Sequence, residues 1–252
     1  MKRLFVLALL STAIGYDAGA DQVTVPLGDP EEPAQLEVSL VNGSVVILGA
    51  DVDAVVIEIR DGDDHGSEPP PGMQRVSKAL RALKLEQHGN RIEVSLNPAS
   101  NAGLELKVPF ASRAEASTVN GRVEVRGLTG ELELHNTNGR IVATDVSGPV
   151  SATTVNGGVN VELSATPARA EMAFSTLNGD VDVTLPESYG ADLTMSSDNG
   201  AIYSDFEVTV AGGEAPKRRD VGQRMNGKIN GGGPSLLLKT FNGDILLHKR
   251  RP

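Results

Sequence analysis

The chain holds 252 residues with a formal net charge of −10, 39% apolar and only 3% aromatic side chains, and neither cysteine nor tryptophan. That balance excludes a disulfide framework and lipid attachment through cysteine, and its acidic character argues against nucleic acid or anionic headgroups as partners. A core without large rings has to be filled by Val, Ile, Leu and Ala, which suits a thin, regularly stacked interior.

Residues 1–20 read as a signal peptide: Lys2 and Arg3, an apolar stretch from Leu4 to about Gly15, then Ala18-Gly19-Ala20 as a small-residue cleavage site. About a dozen apolar residues fall short of the roughly 20 that span a bilayer, so cleavage before Asp21 is expected rather than an anchor. Loss of Lys2, Arg3 and Asp17 moves the formal charge from −10 to −11. No later stretch is long and apolar enough to span either.

Residues 21–110 form a less regular N-terminal β region. Alternating segments stand at Val23 to Val25, Leu36 to Leu40, Ser44 to Leu48 and Val55 to Ile59, and each reads as a half-buried strand. Asp61 to Gly72 is charged and proline-rich and reads as an exposed loop. Met73, Val76, Leu80 and Leu83 share one face of a short helix that would cover the end of a stack. The competing reading starts a strand at Leu83 and turns it at His88-Gly89-Asn90 into Arg91 to Leu96.

From residue 111 to residue 248 a repeat takes over. Asn-Gly occurs nine times, and Asn42, Asn120, Asn138, Asn156, Asn178, Asn199, Asn226 and Asn242 each have an aliphatic residue three positions on, from Val45 to Ile245. Asn-Gly supplies a turn with positive φ, and the alternation after it is a strand. A second glycine, Gly130 or Gly148, follows ten residues after Asn120 and Asn138, so one lap of 18 residues makes two corners. The reading is all-β: a single-stranded β-solenoid, β-helix-like, with laps of about 18–22 residues, each paired with the next. Ala165 to Ala170 and Val208 to Gln223 read as insertions at corners, and Asn230-Gly231 as loop outside the register. The recurring Asn predicts stacked side-chain amides, and Thr118, Thr154, Thr176 and Thr240 a parallel hydroxyl row.

Few motifs in the chain could carry chemistry. Gly222 to Lys228 spells Gly-x-x-x-x-Gly-Lys, but Ile229 stands where a phosphate loop needs Ser or Thr, and a strand is expected to follow. Asp61, Asp63 and Asp64 beside His65 offer oxygen ligands for a hard cation; the twelfth position is Gly72, not Glu, so the segment reads as a solvated loop. His65, His88, His135 and His248 are isolated in sequence. Arg122, Glu124, Arg126, Glu131, Glu133 and Arg140 mix signs on outward positions and read as ion pairs between neighbouring laps, not as the converging carboxylates of a glycan-cleaving site. Phe174, Tyr189, Tyr203, Phe206 and Phe241 are scattered, with no row for sugar stacking. No catalytic, cofactor-binding or metal-binding residue is assigned, and no cofactor is expected. Lys217-Arg218-Arg219 reads as a solvated loop and His248 to Arg251 as a frayed tail; docking to an acidic polymer or partner is the sharper alternative.

The run from Leu104-Glu-Leu-Lys-Val-Pro-Phe through the Thr-Val-Asn-Gly, Asn-Thr-Asn-Gly and Thr-Leu-Asn-Gly copies resembles the bacterial DUF4097 family, which carries an adhesin label. Asn226 to Ile245 is similar to the way those proteins close. The resemblance implies a β-solenoid of the bacterial cell envelope, in the periplasm or at the surface, and offers no catalytic residues. The expectation is an exported, non-enzymatic scaffold or interaction protein acting through a rigid face or through end-to-end association of uncapped laps. Its partners are unassigned: itself, an envelope polymer or a membrane protein. The rivals are a regulator that binds a membrane signalling protein through Val208 to Gln223, and a polysaccharide-active β-helix enzyme.

Overall fold

The computed structural model describes residues 15–17, 22–60, 82–167, 170–210 and 223–251. The expected Asp61–Gly72 loop, and the helix apart from its last two residues, lie outside them. Leu83 opens a strand instead, as the competing reading has it. No helix among the described residues is long and apolar enough to cross a membrane.

The first strands are β1 (Gly15–Asp17), β2 (Gln22–Pro26), β3 (Gln35–Asn42), β4 (Val45–Ala50), β5 (Ala54–Arg60), β6 (Leu83–His88), β7 (Arg91–Leu96) and β8 (Gly103–Pro109). The repeat supplies β9 (Arg113–Asn120), β10 (Val123–Arg126), β11 (Leu132–Asn138), β12 (Ile141–Val146), β13 (Val150–Asn156), β14 (Val159–Leu163), β15 (Met172–Asn178) and β16 (Val181–Leu185). The last are β17 (Ala191–Asn199), β18 (Ile202–Ser204), β19 (Thr209–Val210), β20 (Gln223–Ile229), β21 (Ser235–Asn242) and β22 (Ile245–Lys249). β1 falls within the stretch read as a signal peptide and pairs antiparallel with β2, Tyr16 opposite Val23.

Strands that enter an Asn-Gly corner stack in a front sheet in the order β3, β9, β11, β13, β15, β21, β17. Strands that leave it stack in a back sheet as β4, β10, β12, β14, β16, β22, β18. All of these contacts are parallel, with Val123 beside Ile141 and Asn120 beside Asn138, for example, and the register shifts only between β12 and β14, after Ala143. Strict alternation sends every second side chain inward, and the inward sets of both sheets merge into one core of Val, Ile, Leu and Ala, with Phe174 and Tyr189 as its largest rings. The two-sheet, all-β solenoid expected from the pattern is the fold that forms.

Two expectations fail. The chain does not stack its laps in order: the last one, β21–β22, is inserted between β15–β16 and β17–β18. Asn226 is not a corner either. It lies mid-strand in β20, opposite Thr194, and β20 runs antiparallel to β17. The turn falls four residues later, where Asn230, Gly231 and Gly232 adopt φ values of 48°, 87° and 91°. Asn230 Nδ2 donates to the carbonyls of Glu187 and Tyr189, both at 2.8 Å, which ties this turn to the backbone ahead of β17. The buried aliphatic at Ile229 therefore belongs to a strand that folds back, so the spacing from Asn226 matches the repeat without sharing its geometry.

Three of the four sheet ends are not open laps; the fourth, at β18 of the back sheet, has no further strand among the described residues. Beyond β4 comes β8, still parallel, and then antiparallel pairings take over: β5 on β8 and β2 on β5, β6 on β7, and β20 on β17 with β19 on β20. Such strands change the direction and register that an incoming lap would have to match, which blunts the end-to-end growth expected of uncapped repeats.

Both corners of a lap pack backbone on backbone. At Gly139, φ is +150° and an added Cβ would sit 1.7 Å from the Gly121 carbonyl oxygen of the lap beneath. Gly139→Ala is expected to cost roughly 3 kcal/mol or more, because strain and overpacking each contribute about 1–3 kcal/mol. Gly89→Ala, with φ +63° but nothing within 4 Å, should cost about 1 kcal/mol. Urea denaturation of the two variants checks this; equal midpoints would mean that laps do not touch at the Asn-Gly corner.

Candidate functional surface

The repeating Thr-Val-Asn-Gly unit places three side chains in three columns. The Asn column forms a continuous amide ladder: Asn120 Nδ2 donates to Asn42 Oδ1 at 3.0 Å, Asn138 to Asn120 at 3.0 Å, Asn156 to Asn138 at 2.8 Å and Asn178 to Asn156 at 2.8 Å. It continues through Asn242 to Asn178 at 2.7 Å and Asn199 to Asn242 at 3.0 Å. Each rung is worth about 0.5–1.5 kcal/mol net, toward the lower end where water competes. The backbone adds a second set in the opposite sense, six of the seven corner Gly N–H groups donating to the Asn carbonyl of the next lap, as Gly121 does to Asn138.

The expected hydroxyl row forms, and the backbone supplies its acceptors. Thr118, Thr154, Thr176 and Thr240 turn inward, and each Oγ1 donates to the corner glycine carbonyl of the lap beneath, at 2.8–3.1 Å. Ser197 Oγ and Asn136 Nδ2 do the same at their own corners.

The middle residue of the unit was not singled out from sequence, although alternation alone sends it outward. Val41, Val119, Val155, Leu177 and Phe241 are 39%, 39%, 38%, 46% and 45% exposed and occupy the same register position on successive front strands, interrupted only by Thr137. At about 4.8 Å per strand they draw an apolar stripe roughly 24 Å long beside the Asn ladder. Beyond Phe241 the column ends in Asp198.

Toward the N-terminal end the outer front face is acidic. Glu86, Glu93, Glu37, Glu115 and Glu133 stand side by side on β6, β7, β3, β9 and β11. Arg91 bonds Glu37 at 2.6 Å and Glu93 at 3.0 Å, and these carboxylates raise its already high pKa further. Hydrogen bonding to Lys84 holds the Glu86 carboxyl below the usual range. A shallow groove crosses this region, lined by Arg91, Glu37, Arg113, Glu115, Glu131 and Glu133. Its charges are mixed and solvated, and among the described residues no group of three or more acidic or His side chains converges as metal ligands would.

The remaining candidates are dispersed. Asp61, Asp63, Asp64, His65 and Lys217-Arg218-Arg219 lie outside the described residues. His88 is exposed at the end of β6, and His135 Nε2 lies 3.1 Å from Glu133 Oε1. The Gly-Lys of the loop-like motif runs as strand β20, with Lys228 3.5 Å from Asp192. Glu124 does not pair between laps: it takes Arg122 at 3.0 Å and Arg126 from its own strand, because residues two apart share a face. The basic tail is not frayed. His248 lies between Asp182 and Asp205, 3.7 and 3.3 Å away, Lys249 covers the Phe206 ring, and Arg250 crosses to Asp145 at 3.0 Å and Glu162 at 3.6 Å. The ends of the second insertion are structural as well, since β19 pairs with β20 and Gln223 Oε1 accepts the Ile202 N–H at 2.9 Å.

The model of the Toastrack DUF4097 family matches residues 15–248. The chain belongs to that family. Among solved structures, this DUF4097 chain is similar to a crystal structure described as "a putative cell adhesion protein from Clostridium sporogenes", with 12% identity, a TM-score of 0.53, and coverage of 92% of this chain and 100% of that one. At that identity the likeness shows the fold. No curated protein matches the chain.

Proposed function

We propose that this DUF4097 protein is an exported, non-enzymatic scaffold of the bacterial envelope or surface, which holds an extended partner along its front face. The observation that carries the reading is the stripe of Val41, Val119, Val155, Leu177 and Phe241. Five of the seven large apolar side chains exposed among the described residues fall in that one column. Isolated exposed apolar residues are ordinary, whereas five aligned in one column of a rigid sheet, with one break at Thr137, mark a contact surface. The acidic column on the same face, four residues away along β3 and β9 toward the N-terminal end, would repel polyanions, so an uncharged or cationic partner is favoured. The family's adhesin label and the description of the clostridial neighbour agree with this reading. Repeated weak contacts in one line add by multivalency, and a rigid solenoid presents them without an ordering cost.

The test is capture from crosslinked bacterial envelopes by the wild type and by the triple variant Val155→Ser, Leu177→Ser, Phe241→Ser. Three lost contacts of about 0.5–1 kcal/mol each should lower capture about tenfold or more, while the exposed positions leave melting within a few degrees of wild type. Undiminished capture by the triple variant sinks the proposal. A second variant, shortened only within residues 211–222 so that β19 and Gln223 stay, separates the rival: loss of a discrete membrane protein there would make the insertion the binding element.

A further inference from the structure

We infer that Asn199-Gly200 is a self-modifying site: of the seven ladder corners it is the one built to lose its side-chain amide. The reaction needs no enzyme. The Gly200 backbone nitrogen gives up its proton to base and attacks Cγ of Asn199, forming a C–N bond; the Cγ–Nδ2 bond breaks and the nitrogen leaves as ammonia. Water then opens the five-membered imide at either carbonyl, leaving an aspartyl or an isoaspartyl linkage. Asn-Gly favours ring closure because glycine puts no side chain in the way.

The ladder has a direction, and that direction decides which corner reacts. In six laps the would-be nucleophile is held: the N–H groups of Gly43, Gly121, Gly139, Gly157, Gly179 and Gly243 donate to the carbonyls of Asn120, Asn138, Asn156, Asn178, Asn242 and Asn199 at 2.8–3.2 Å. Each donation goes to the following lap in the stack. The lap of Asn199 is the last, and beyond β17 comes β20, which runs antiparallel and brings no Asn corner. Gly200 N–H accordingly has no backbone acceptor among the described residues. A second, independent difference points the same way: Gly200 is exposed, whereas the other six corner glycines are half-buried. Asn199 Nδ2 keeps a single side-chain contact, to Asn242 Oδ1 at 3.0 Å.

The two Asn-Gly pairs off the ladder are held by other means. Asn226 and Gly227 lie within β20, opposite Thr194 and Leu193 of β17, with Gly227 also opposite Val210 of β19, and Asn230 has its amide fixed by two carbonyls. Conversion at position 199 would put a carboxylate against Asn242 Oδ1, acceptor facing acceptor, and open the last rung.

The experiment incubates the folded protein in mildly alkaline buffer made with heavy-oxygen water, so that only conversions occurring during incubation carry label, and maps the sites by peptide mass spectrometry. Labelled acid should accumulate at position 199 about tenfold faster than at any other Asn-Gly, the factor carried by one lost backbone hydrogen bond. In Asn199→Gln the label there should disappear and the remaining sites keep their slow rates. Equal rates at all the ladder corners would overturn the inference, as would faster conversion at position 226 or 230. So would no conversion at 199 under conditions that fully convert an unfolded peptide of the same sequence.

Discussion

A chain ended after Gly233 is expected to lose far more than its last lap. In a solenoid stacked in chain order, removing the C-terminal repeat shortens the rod and leaves the rest standing. Here β21 and β22 lie between the fifth and sixth laps, so their removal separates β15 from β17 and β16 from β18 in both sheets at once. Leu236, Leu238, Ile245 and Leu247, all buried, go with them. At about 1.5–3 kcal/mol each, the loss is roughly 6–12 kcal/mol, comparable to the whole stability of an ordinary domain. The asparagine ladder breaks between Asn178 and Asn199, and the Arg250 contacts with Asp145 and Glu162 vanish. Circular dichroism on heating should show no cooperative transition in the truncated chain, or one displaced by tens of degrees. A melting curve within a few degrees of wild type would refute the inserted lap.

The second large effect tests the inward register. Val159 is 1% exposed at the centre of the back sheet, between Ile141 and Val181 on the neighbouring laps. Val159→Asp places a carboxylate among aliphatic side chains with nothing to pair it, a cost of roughly 5 kcal/mol that should unfold the protein or force the carboxyl to stay protonated. Asn160→Asp, one residue on, faces outward beside Asp182 of the next lap. There two carboxylates in register repel weakly through water, which should cost less than about 1 kcal/mol. Thermal melting compares the pair, and similar shifts for both would mean that the inward and outward faces have been exchanged.

Much of the candidate surface was legible in one recurring unit. In Thr-Val-Asn-Gly the Asn ladder and the Thr row follow from turn chemistry and strict alternation, and both form. The Val between them escaped notice because a single apolar residue between two polar ones carries no pattern along the chain. Its meaning appears only when Val41, Val119, Val155, Leu177 and Phe241 are stacked in space. The acidic column needed the same step, since Glu37, Glu93, Glu115 and Glu133 are far apart in sequence and adjacent only across strands.

What the sequence by itself determined is local: which residues turn, which alternate, and therefore which side of each strand is apolar. Those choices rest on backbone sterics and the period of two, which a few neighbouring residues settle among themselves. Tertiary structure alone decided the order of stacking. Every parallel lap presents similar edges and similar aliphatic rows, so local pattern cannot say whether β17 or β21 lies beside β15. That choice belongs to the return strand β20, which turns at Asn230-Gly231 and occupies the far edge of β17, so that β21 takes the place between β15 and β17. The same choice made Asn199-Gly200 the last corner of the ladder, although eight corners look alike in sequence.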